Sequence, residues 1–417
     1  MTPLPIADWV LTGASRLATL EPTVGEGALG VVERGAIAAY EGRIMWVGPE
    51  DELSHAVDAS AATRHDAAGR AVIPGFVDSH THFVFAGDRA EEFHLRHAGV
   101  SYEELARQGR GILSTVRATR AADAETLRAL GRERLRSFAR HGTTTVEGKT
   151  GYGLDLATED RCLSVMADLA REPDLPRIVP TFLGAHTVPP ELRGSAADRA
   201  RYLDIICHEM LPRFAGRARF CDVFCEATAF TVPEARRVLT AARELGYALK
   251  LHANQLGPSG GATLAAELGA TSADHLDYAS QPELEGLASA GVVGTLLPGC
   301  SFSLSTEYPQ AARFYDASLR VALATDFNPG TSYSESMPMM IALAVSSMGM
   351  TLGQALAAAT LGGAHAVGMA DEVGSLAPGK RCDLVVLRER DERALAYHFG
   401  VNLVAETVAG ARVIYAE

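Results

Sequence analysis

The chain has 417 residues, which is long for one simple core but common for a large barrel domain. Hydrophobic residues make up 47% and charged residues 21%, as in ordinary globular proteins. The formal net charge of −13 argues against a nucleic-acid-binding surface, although an arginine inside a pocket can still bind an anionic small molecule.

Six cysteines are scattered without the short paired spacings of a zinc site, so we expect buried free thiols. Residues 1–20 contain no basic start followed by an unbroken apolar run, as a secretory signal would. No window reaches the ~18 apolar residues that a membrane helix needs. These features predict a cytoplasmic, reduced environment without a membrane partner.

The two ends of the chain have a similar character. Residues 1–70 contain short β-like runs separated by turns, for example at 31–37, and residues 373–417 contain comparable runs, for example at 383–387. We therefore predict one small β-sandwich domain formed by 1–70 together with 373–417. The alternative is two independent terminal flaps.

Residues 71–372 alternate between apolar runs of strand length and segments of helical periodicity. The predicted strands are 71–77, 143–147, 177–184, 221–226, 247–252, 271–276, 292–297 and 320–326. The predicted helices include 124–140, 159–171, 233–245, 261–268 and 282–290. Eight such units predict an α/β fold, a (β/α)8 barrel of the TIM type, with a doubly wound open sheet as the alternative.

Polar residues with metal-binding chemistry follow the predicted strands, at the ends where barrel enzymes carry their active sites. His80 and His82 end the first strand and point to the same side, because side-chain direction in a strand repeats every second residue. The other strand ends carry His186, Glu226, His252, His275 and Asp326. Five of the 13 histidines lie at these ends, which favours one shared site.

Three imidazoles and one carboxylate suit a single catalytic divalent metal with an open position for water. The predicted ligands are His80, His82, His252 and Asp326. Asp326 can also accept the proton of the attacking water, and His275 can stabilise the oxyanion. We find no strand-end lysine that could carry a carbamylated bridging ligand, so one metal is favoured over two. The donor set suits Zn²⁺, Fe²⁺ or Mn²⁺ equally.

The other strand-end residues have more than one interpretation. Glu226 is predicted to accept a hydrogen bond from a ligand histidine, and His186 contacts the substrate or supports the ligands. Asp326 could instead cap the next helix, as could its neighbour Asn328.

Several motifs resemble those of the imidazolonepropionases, a family in the amidohydrolase superfamily whose members join a barrel to a β-sandwich built from both termini. The matching segments are 74–89, 111–120, 149–155, 182–186 and 324–330, and the likeness runs from about residue 5 to residue 415. The His80-x-His82 pair is common to the superfamily. Arg89, the run Ser114–Arg117 and the run Gly151–Asp155 are specific to the family.

The resemblance implies hydrolysis of 4-imidazolone-5-propanoate to N-formimidoyl-L-glutamate, the third step of histidine degradation, with one zinc or iron ion in a homodimer. It implies that Arg89 and Tyr152 hold the carboxylate tail of this small-molecule substrate. It also implies that His186 and Gln255 contact the imidazolone ring. A polar loop would hold the substrate or product, through Asn328, Gly330 and Thr331.

Some relatives carry Glu where this chain has Gln255. Glutamine donates and accepts hydrogen bonds but cannot act as a general base, so proton transfer is assigned to Asp326. Two alternatives stay open: another amidohydrolase or deaminase acting on a cyclic amide or amidine, and a binding protein that has lost catalysis. Arg89 disfavours a neutral base as substrate, because such a base offers no carboxylate.

Overall fold

The computed structural model describes residues 3–100 and 110–417. Its strands form one eight-stranded sheet, one six-stranded sheet and one four-stranded sheet. In chain order the strands are β1 (Trp9–Thr12), β2 (Arg16–Ala18), β3 (Val31–Glu33), β4 (Gly35–Tyr40), β5 (Arg43–Pro49), β6 (Thr63–Asp66), β7 (Ala71–Pro74), β8 (Phe76–Asp78), β9 (Thr143–Lys149), β10 (Arg177–Ala185), β11 (Phe220–Cys225), β12 (Ala248–Ala253), β13 (Ser272–His275), β14 (Val293–Leu296), β15 (Val321–Leu323), β16 (Leu384–Leu387), β17 (Val404–Ala409) and β18 (Arg412–Ala416).

Helices connect most of these strands. In chain order they are α1 (Leu53–Ala56), α2 (Ala90–His97), α3 (Ile112–Ala121), α4 (Ala124–Arg140), α5 (Leu156–Leu169), α6 (Ala196–Ile205), α7 (Leu211–Phe214), α8 (Val232–Glu244), α9 (Gly261–Leu268), α10 (Gln281–Ser289), α11 (Pro298–Leu304), α12 (Ala311–Asp316), α13 (Met337–Met348), α14 (Leu352–Ala357), α15 (Gly363–Ala366) and α16 (Ala394–Tyr397). Short 3₁₀ turns (Glu50–Glu52, Pro190–Leu192) and π-helical segments (Ile206–Met210, Ala358–Gly362) complete the described elements.

Strands β8 to β15 are parallel, and each pairs with its neighbour in sequence, which confirms the predicted barrel. Helices α4 and α9 have the predicted bounds, and the other predicted helices differ by no more than three residues. Capping residues fix these boundaries in the structure: Asp123 accepts a hydrogen bond from Thr126 N (2.8 Å) at the start of α4.

The barrel closes between the segments that follow β8 and β15. The amide of Asp326 donates to His80 O (3.0 Å), and the amide of His82 donates to Phe327 O (2.8 Å). Below them, the buried carboxylate of Asp78 accepts hydrogen bonds from the backbone and hydroxyl of Thr325. The closure therefore holds two predicted ligand segments side by side.

The six-stranded sheet joins both ends of the chain, in the order β18-β17-β16-β7-β2-β3, and the four-stranded sheet has the order β5-β4-β1-β6. Ala71–Pro74, which the sequence analysis counted within the first barrel strand, pairs instead with β2 and β16. Gly75 separates this strand from β8. The division into domains at residues 70 and 372 stays a prediction.

All six cysteines are buried free thiols, as predicted. Among residues 3–100 and 110–417, the helices are too short or too polar to span a lipid bilayer.

Candidate metal centre and substrate cavity

The structure brings the four predicted metal ligands together at the C-terminal mouth of the barrel. The donor atoms of His80, His82 and His252 lie within 4.8 Å of one another. Oδ1 of Asp326 lies 3.5 Å from His80 Nε2 and 3.8 Å from His82 Nε2. His275 joins His80 and Asp326 in a second group with the same spacing limit, so it lies beside the ligands, as an oxyanion-stabilising residue would.

The chemistry of these donors fits a divalent cation. Nε2 of His80 and Nε2 of His252 are buried and find no hydrogen-bond partner among the described residues. A buried polar atom without a partner costs about 1–3 kcal/mol, which a bound cation would offset. Burial lowers the pKa of His80 and His82 well below the usual value, so both rings are neutral and can donate lone pairs.

Two residues of the centre have unusual backbone conformations. His275 has φ 77° and Asp326 has φ 52°, in the left-handed region that non-glycine residues rarely adopt. Such strain concentrates at active sites, where the surrounding structure maintains it. Burial also raises the pKa of Asp326 to about 7, which is suitable for a group that takes and returns a proton near neutrality.

A network of five fully buried charges lies beneath the metal ligands. It consists of Glu147, Lys149, Asp222, Lys250 and Asp274. Lys149 Nζ lies 2.7 Å from Asp222, 2.9 Å from Glu147 and 3.4 Å from Asp274. Lys250 Nζ lies 3.1 Å from Glu147 and donates to a backbone carbonyl at 2.8 Å. Each charge thus has an opposite partner, which a buried ion needs.

This network contacts the Nδ1 atoms of the two histidines whose Nε2 atoms have no partner. Nδ1 of His80 lies 2.6 Å from Asp274 Oδ2, and Nδ1 of His252 lies 3.1 Å from Asp222 Oδ1. A carboxylate that accepts from Nδ1 selects the tautomer whose Nε2 carries the free lone pair. The network therefore orients both rings for coordination.

We expected no strand-end lysine that could carry a carbamylated bridging ligand. Lys149 is the last residue of β9, but its amine lies among three carboxylates. Burial disfavours its charged form, but the carboxylates of Asp222 and Glu147 raise its pKa above the usual value. The amine is therefore a charged ion-pair partner, which leaves no neutral nitrogen for carbamylation. One metal is therefore still favoured over two, because the ion pairs of Lys149 keep it from serving as a carbamylated bridging ligand.

The prediction that Glu226 accepts a hydrogen bond from a ligand histidine is wrong. Oε1 of Glu226 accepts from the amides of Gln255 (2.6 Å) and Leu256 (3.2 Å). Glu226 therefore anchors the loop after β12 that carries the predicted substrate contact Gln255. The carboxylates that support the ligands come from inside β11 and β13, where sequence analysis had assigned no role.

A cavity of about 630 Å³ opens above the ligands. This volume is within the range of small-molecule sites. Apart from Glu226 and the fully buried His80, every predicted site residue lines it: His82, Arg89, Tyr152, His186, His252, Gln255, His275, Asp326, Asn328, Gly330 and Thr331.

Tyr152 and His186 form one wall of the cavity. The carboxylate of Glu159 accepts hydrogen bonds from the amides of Gly151, Gly153 and Leu154, which holds the loop that carries Tyr152. Burial raises the pKa of Tyr152, so its phenol stays protonated and can donate. Burial lowers the pKa of His186 to about 3, and its Nδ1 lies 3.0 Å from Gly151 O.

The loop after β15 is held by Asn328. Oδ1 of Asn328 accepts from the amides of Gly330 (2.8 Å) and Thr331 (2.9 Å), and its Nδ2 donates to Asp326 O (2.6 Å). The hydroxyl of Thr331 donates to Asp326 Oδ2 at 3.3 Å. The Asn328 amide is thus used within the loop and sets the position of Asp326, rather than capping a helix.

Comparison with known proteins identifies the family. The amidohydrolase family model matches residues 71–409. An imidazolonepropionase from Symbiobacterium thermophilum is 49% identical over 419 residues, which cover 98% of each chain. An imidazolonepropionase from Parabacteroides distasonis is 48% identical, with 90% of each chain covered. The chain belongs to the imidazolonepropionase family of amidohydrolases. Members of the imidazolonepropionase family are hydrolases, and this chain is therefore a hydrolase.

Solved structures of more distant amidohydrolases have the same fold. An adenosine deaminase from Xanthomonas campestris with bound zinc has a TM-score of 0.71 at 19% identity, covering 99% of this chain and 93% of that one. The guanine deaminase of E. coli has a TM-score of 0.72 at 17% identity, and the match covers 98% of this chain and 100% of the deaminase. The imidazolonepropionase family therefore shares this barrel with deaminases.

In this member of the imidazolonepropionase family, sequence analysis overlooked the buried charges beneath the ligands. A signal was present: Asp222 and Lys250 each stand inside an otherwise apolar predicted strand, and Asp274 directly precedes His275. Charged residues are almost never buried unless they are paired, so each such residue indicates a partner. The identity of the partner depends on which strands face one another.

Proposed function

We propose that this enzyme hydrolyses 4-imidazolone-5-propanoate to N-formimidoyl-L-glutamate, the third step of histidine degradation. One observation carries the proposal: imidazole nitrogens without hydrogen-bond partners among the described residues lie beside Asp326, below a cavity whose wall carries an arginine. The full-length similarity to two imidazolonepropionases supports the same substrate. The reaction breaks the ring C–N bond next to the carbonyl and adds one water.

In this proposal one divalent ion, zinc or iron, is held by three imidazoles and one carboxylate. The ligands are His80, His82, His252 and Asp326. When bound, such an ion lowers the pKa of a water molecule and polarises a carbonyl. Zinc and iron both accept nitrogen and oxygen donors, so the donor set supports either.

The residues around the ion transfer protons, stabilise the oxyanion and position the substrate. Asp326 accepts a proton from the attacking water and returns it to the departing ring nitrogen. His275, neutral because burial lowers its pKa, donates a hydrogen bond to the oxyanion. Arg89 and Tyr152 hold the propanoate so that the carbonyl meets the attacking water.

The ring itself has separate contacts in this proposal. His186 and Gln255 face the imidazolone from the cavity wall, and Gln255 Nε2 donates to Cys300 Sγ at 3.6 Å. Gly330 and Thr331 contact the substrate or product from the loop that Asn328 holds. Because the Gln255 amide cannot accept a proton, the role of base falls to Asp326.

The test mixes purified, metal-assayed protein with freshly made 4-imidazolone-5-propanoate and follows the loss of ultraviolet absorbance. We expect turnover that disappears after metal removal and returns when zinc or iron is added. Absence of turnover in protein with one metal per chain would reject the substrate. Ammonia release from a panel of purines and pyrimidines would indicate a deaminase instead.

We also propose a homodimer in a reducing, cytoplasmic compartment. The family resemblance supports the dimer, and six buried free thiols support the compartment. Large apolar side chains are exposed in the described structure, among them Tyr397 and Phe399. Light scattering checks the dimer: we expect twice the chain mass of 44.1 kDa.

A further inference from the structure

We propose that Arg96 is a second arginine that binds the substrate carboxylate, next to Arg89. This inference rests on the proposed function, because it assigns a role toward the propanoate tail. Both arginines line the cavity above the metal ligands. Arg89 is the N-cap of α2 and Arg96 lies near its C-terminal end, about two helical turns later, so both face the same side.

Glu92 already occupies one edge of the Arg89 guanidinium. Arg89 Nε donates to Glu92 Oε2 at 2.9 Å, and Nη2 contacts Oε1. Glu92 also accepts from the amide of Gly111 at 2.8 Å, which fixes the carboxylate in place. On the other side, Arg89 Nη1 packs so closely on Gly330 that a Cβ there would lie 2.3 Å from it.

The Arg89–Glu92 pair is therefore rigid but formally neutral. A substrate carboxylate that approaches it meets one positive and one negative charge at similar distance. Another cation is needed to give this end of the cavity a net attraction for an anion.

Arg96 provides that charge. Its nearest hydrogen bonds are long, from Nη1 to Gly330 O (3.4 Å) and from Nη2 to Ser303 O (3.4 Å). Its Nε is buried and has no hydrogen-bond partner among residues 3–100 and 110–417. Within the same residues, no carboxylate lies within ion-pair distance of Arg96. A half-buried, always-charged guanidinium with unused donors is a suitable anion site.

Two other arginines line the cavity and compete for the role. Arg110 pairs with Glu91 at 2.8 Å, so its charge is offset. Arg193 donates to Val188 O (2.6 Å) and to Thr187 Oγ1 (2.7 Å), on the wall formed by the segment after β10. Arg193 is therefore the proper comparison for Arg96, because it carries the same charge into the same cavity from the other side.

The test compares Arg96→Met, Arg96→Lys and Arg193→Met with the wild type on two substrates. One is 4-imidazolone-5-propanoate, and the other is its carboxamide, which has the same shape without the charge. For Arg96→Met we expect KM for the acid to rise by about 10- to 100-fold, the effect of one charge-assisted hydrogen bond, with kcat changed by less than about threefold. KM for the carboxamide should stay within about threefold. Arg96→Lys should recover part of the loss.

Several outcomes would overturn the proposal. An unchanged KM for the acid in Arg96→Met, or an equal rise for acid and carboxamide, would show that Arg96 does not recognise the charge. A larger acid-specific effect in Arg193→Met would move the role to that residue. If Arg96→Met does not fold, Arg96→Gln removes the charge with a polar side chain, and an unchanged KM for the acid in that variant would equally reject it.

Failure of the proposed function would look different. In that case the wild type itself would not consume the imidazolone acid. Calorimetric binding of glutarate, which carries a comparable carboxylate chain, then tests Arg96 without catalysis. We expect Arg96→Met to weaken glutarate binding by at least about tenfold, and unchanged binding would reject the inference.

Discussion

His80 and Asp274 lie 2.6 Å apart, measured from Nδ1 to Oδ2, and both are completely buried. The contact turns Nε2 of His80 toward Asp326, and this nitrogen has no hydrogen-bond partner within the described part of the chain. Asp274 in turn contacts Lys149 at 3.4 Å. The geometry of a proposed metal ligand is thus tied to a network of charges inside the barrel.

Replacing Asp274 with asparagine should weaken metal binding by about 10- to 100-fold, because the ring of His80 loses its charged acceptor. The change is isosteric, so we expect the fold to remain. Competition with a chromogenic chelator measures the affinity, and far-ultraviolet circular dichroism checks the fold. Asp316→Asn, on the exposed end of α12, is the matched control and should leave the affinity unchanged. Equal affinities for Asp274→Asn and wild type would show that the contact does not orient the ligand.

Lys149→Met should destabilise the protein by about 3–5 kcal/mol, because Asp222 and Asp274 would be left as buried charges with too few partners. Urea unfolding of the metal-free protein measures the change, so that metal affinity does not enter. Arg171→Met removes an arginine whose side chain is 77% exposed and should change stability by less than about 0.5 kcal/mol. A loss for Lys149→Met as small as that of the control would contradict a tightly coupled network.

Asp326→Asn should keep the fold and reduce kcat by about 10²- to 10⁴-fold at saturating metal, because the amide cannot take a proton. Metal content is measured on the same sample, so that lost occupancy is separated from lost proton transfer. Gln255→Glu is a useful comparison, since it introduces a carboxylate nearby. If metal-loaded Asp326→Asn turned over near the wild-type rate, another residue would be the base.

Metal affinity should depend on pH because burial raises the pKa of Asp326 to about 7 in the protein without metal. The folded carboxyl holds its proton at pH values where a free one has lost it, and a metal must displace that proton. Affinity should therefore fall by at least about tenfold per pH unit below 7 and approach a plateau above it. Titration of apo-protein between pH 5.5 and 8 checks this, and a flat profile would be inconsistent with a protonated Asp326.

Acid stability depends in part on Glu234, whose pKa is lowered to about 2 by its hydrogen bonds with Arg199 and the start of α8. A lowered folded-state pKa stabilises the protein above pH ~4.5 and loses that effect as pH falls toward 2. Glu234→Gln should cost about 1 kcal/mol at pH 7 and progressively less below pH 4.5. Urea unfolding of the variant and the wild type at pH 7 and at pH 3 measures the loss of stability at each pH.

The control for that experiment is Glu283→Gln on α10. Glu283 occupies the same capping-box position but forms no ion pair within residues 3–100 and 110–417. Its variant should show a smaller pH-dependent difference from the wild type. If the two variants behaved alike, the Arg199 contact would not be the source of the effect.

The barrel and the clustering of the proposed ligand residues could be predicted because both depend on local patterns. The apolar residues of strands and helices recur with characteristic periods in the sequence. In a parallel barrel the C-terminal ends of all strands lie at one face. His80, His82, His252 and Asp326 therefore had to meet once eight parallel strands were inferred. The helix α4 was equally predictable from its apolar period.

The partners of charges inside the barrel could not be predicted in the same way. Lys149 contacts Asp222 and Asp274, which are 73 and 125 residues away. Such pairs depend on barrel closure and strand register, since a shift of one residue turns a side chain to the opposite face. The same limit applies to Arg89. The family motif assigns its guanidinium to the substrate carboxylate, and only the fold shows that Glu92 already binds one edge of it.

The sequence by itself determined the order of strands and helices, the donor residues and the mouth where they meet, because these depend on period and chain direction. Only the tertiary structure decided which carboxylates face the rings of His80 and His252 and that the Lys149 amine lies among three carboxylates. It also decided which cavity arginine has no ion-pair partner within the described residues. Electrostatic energy depends on distances of a few ångströms between segments far apart in the chain, and those distances exist only after the barrel has closed.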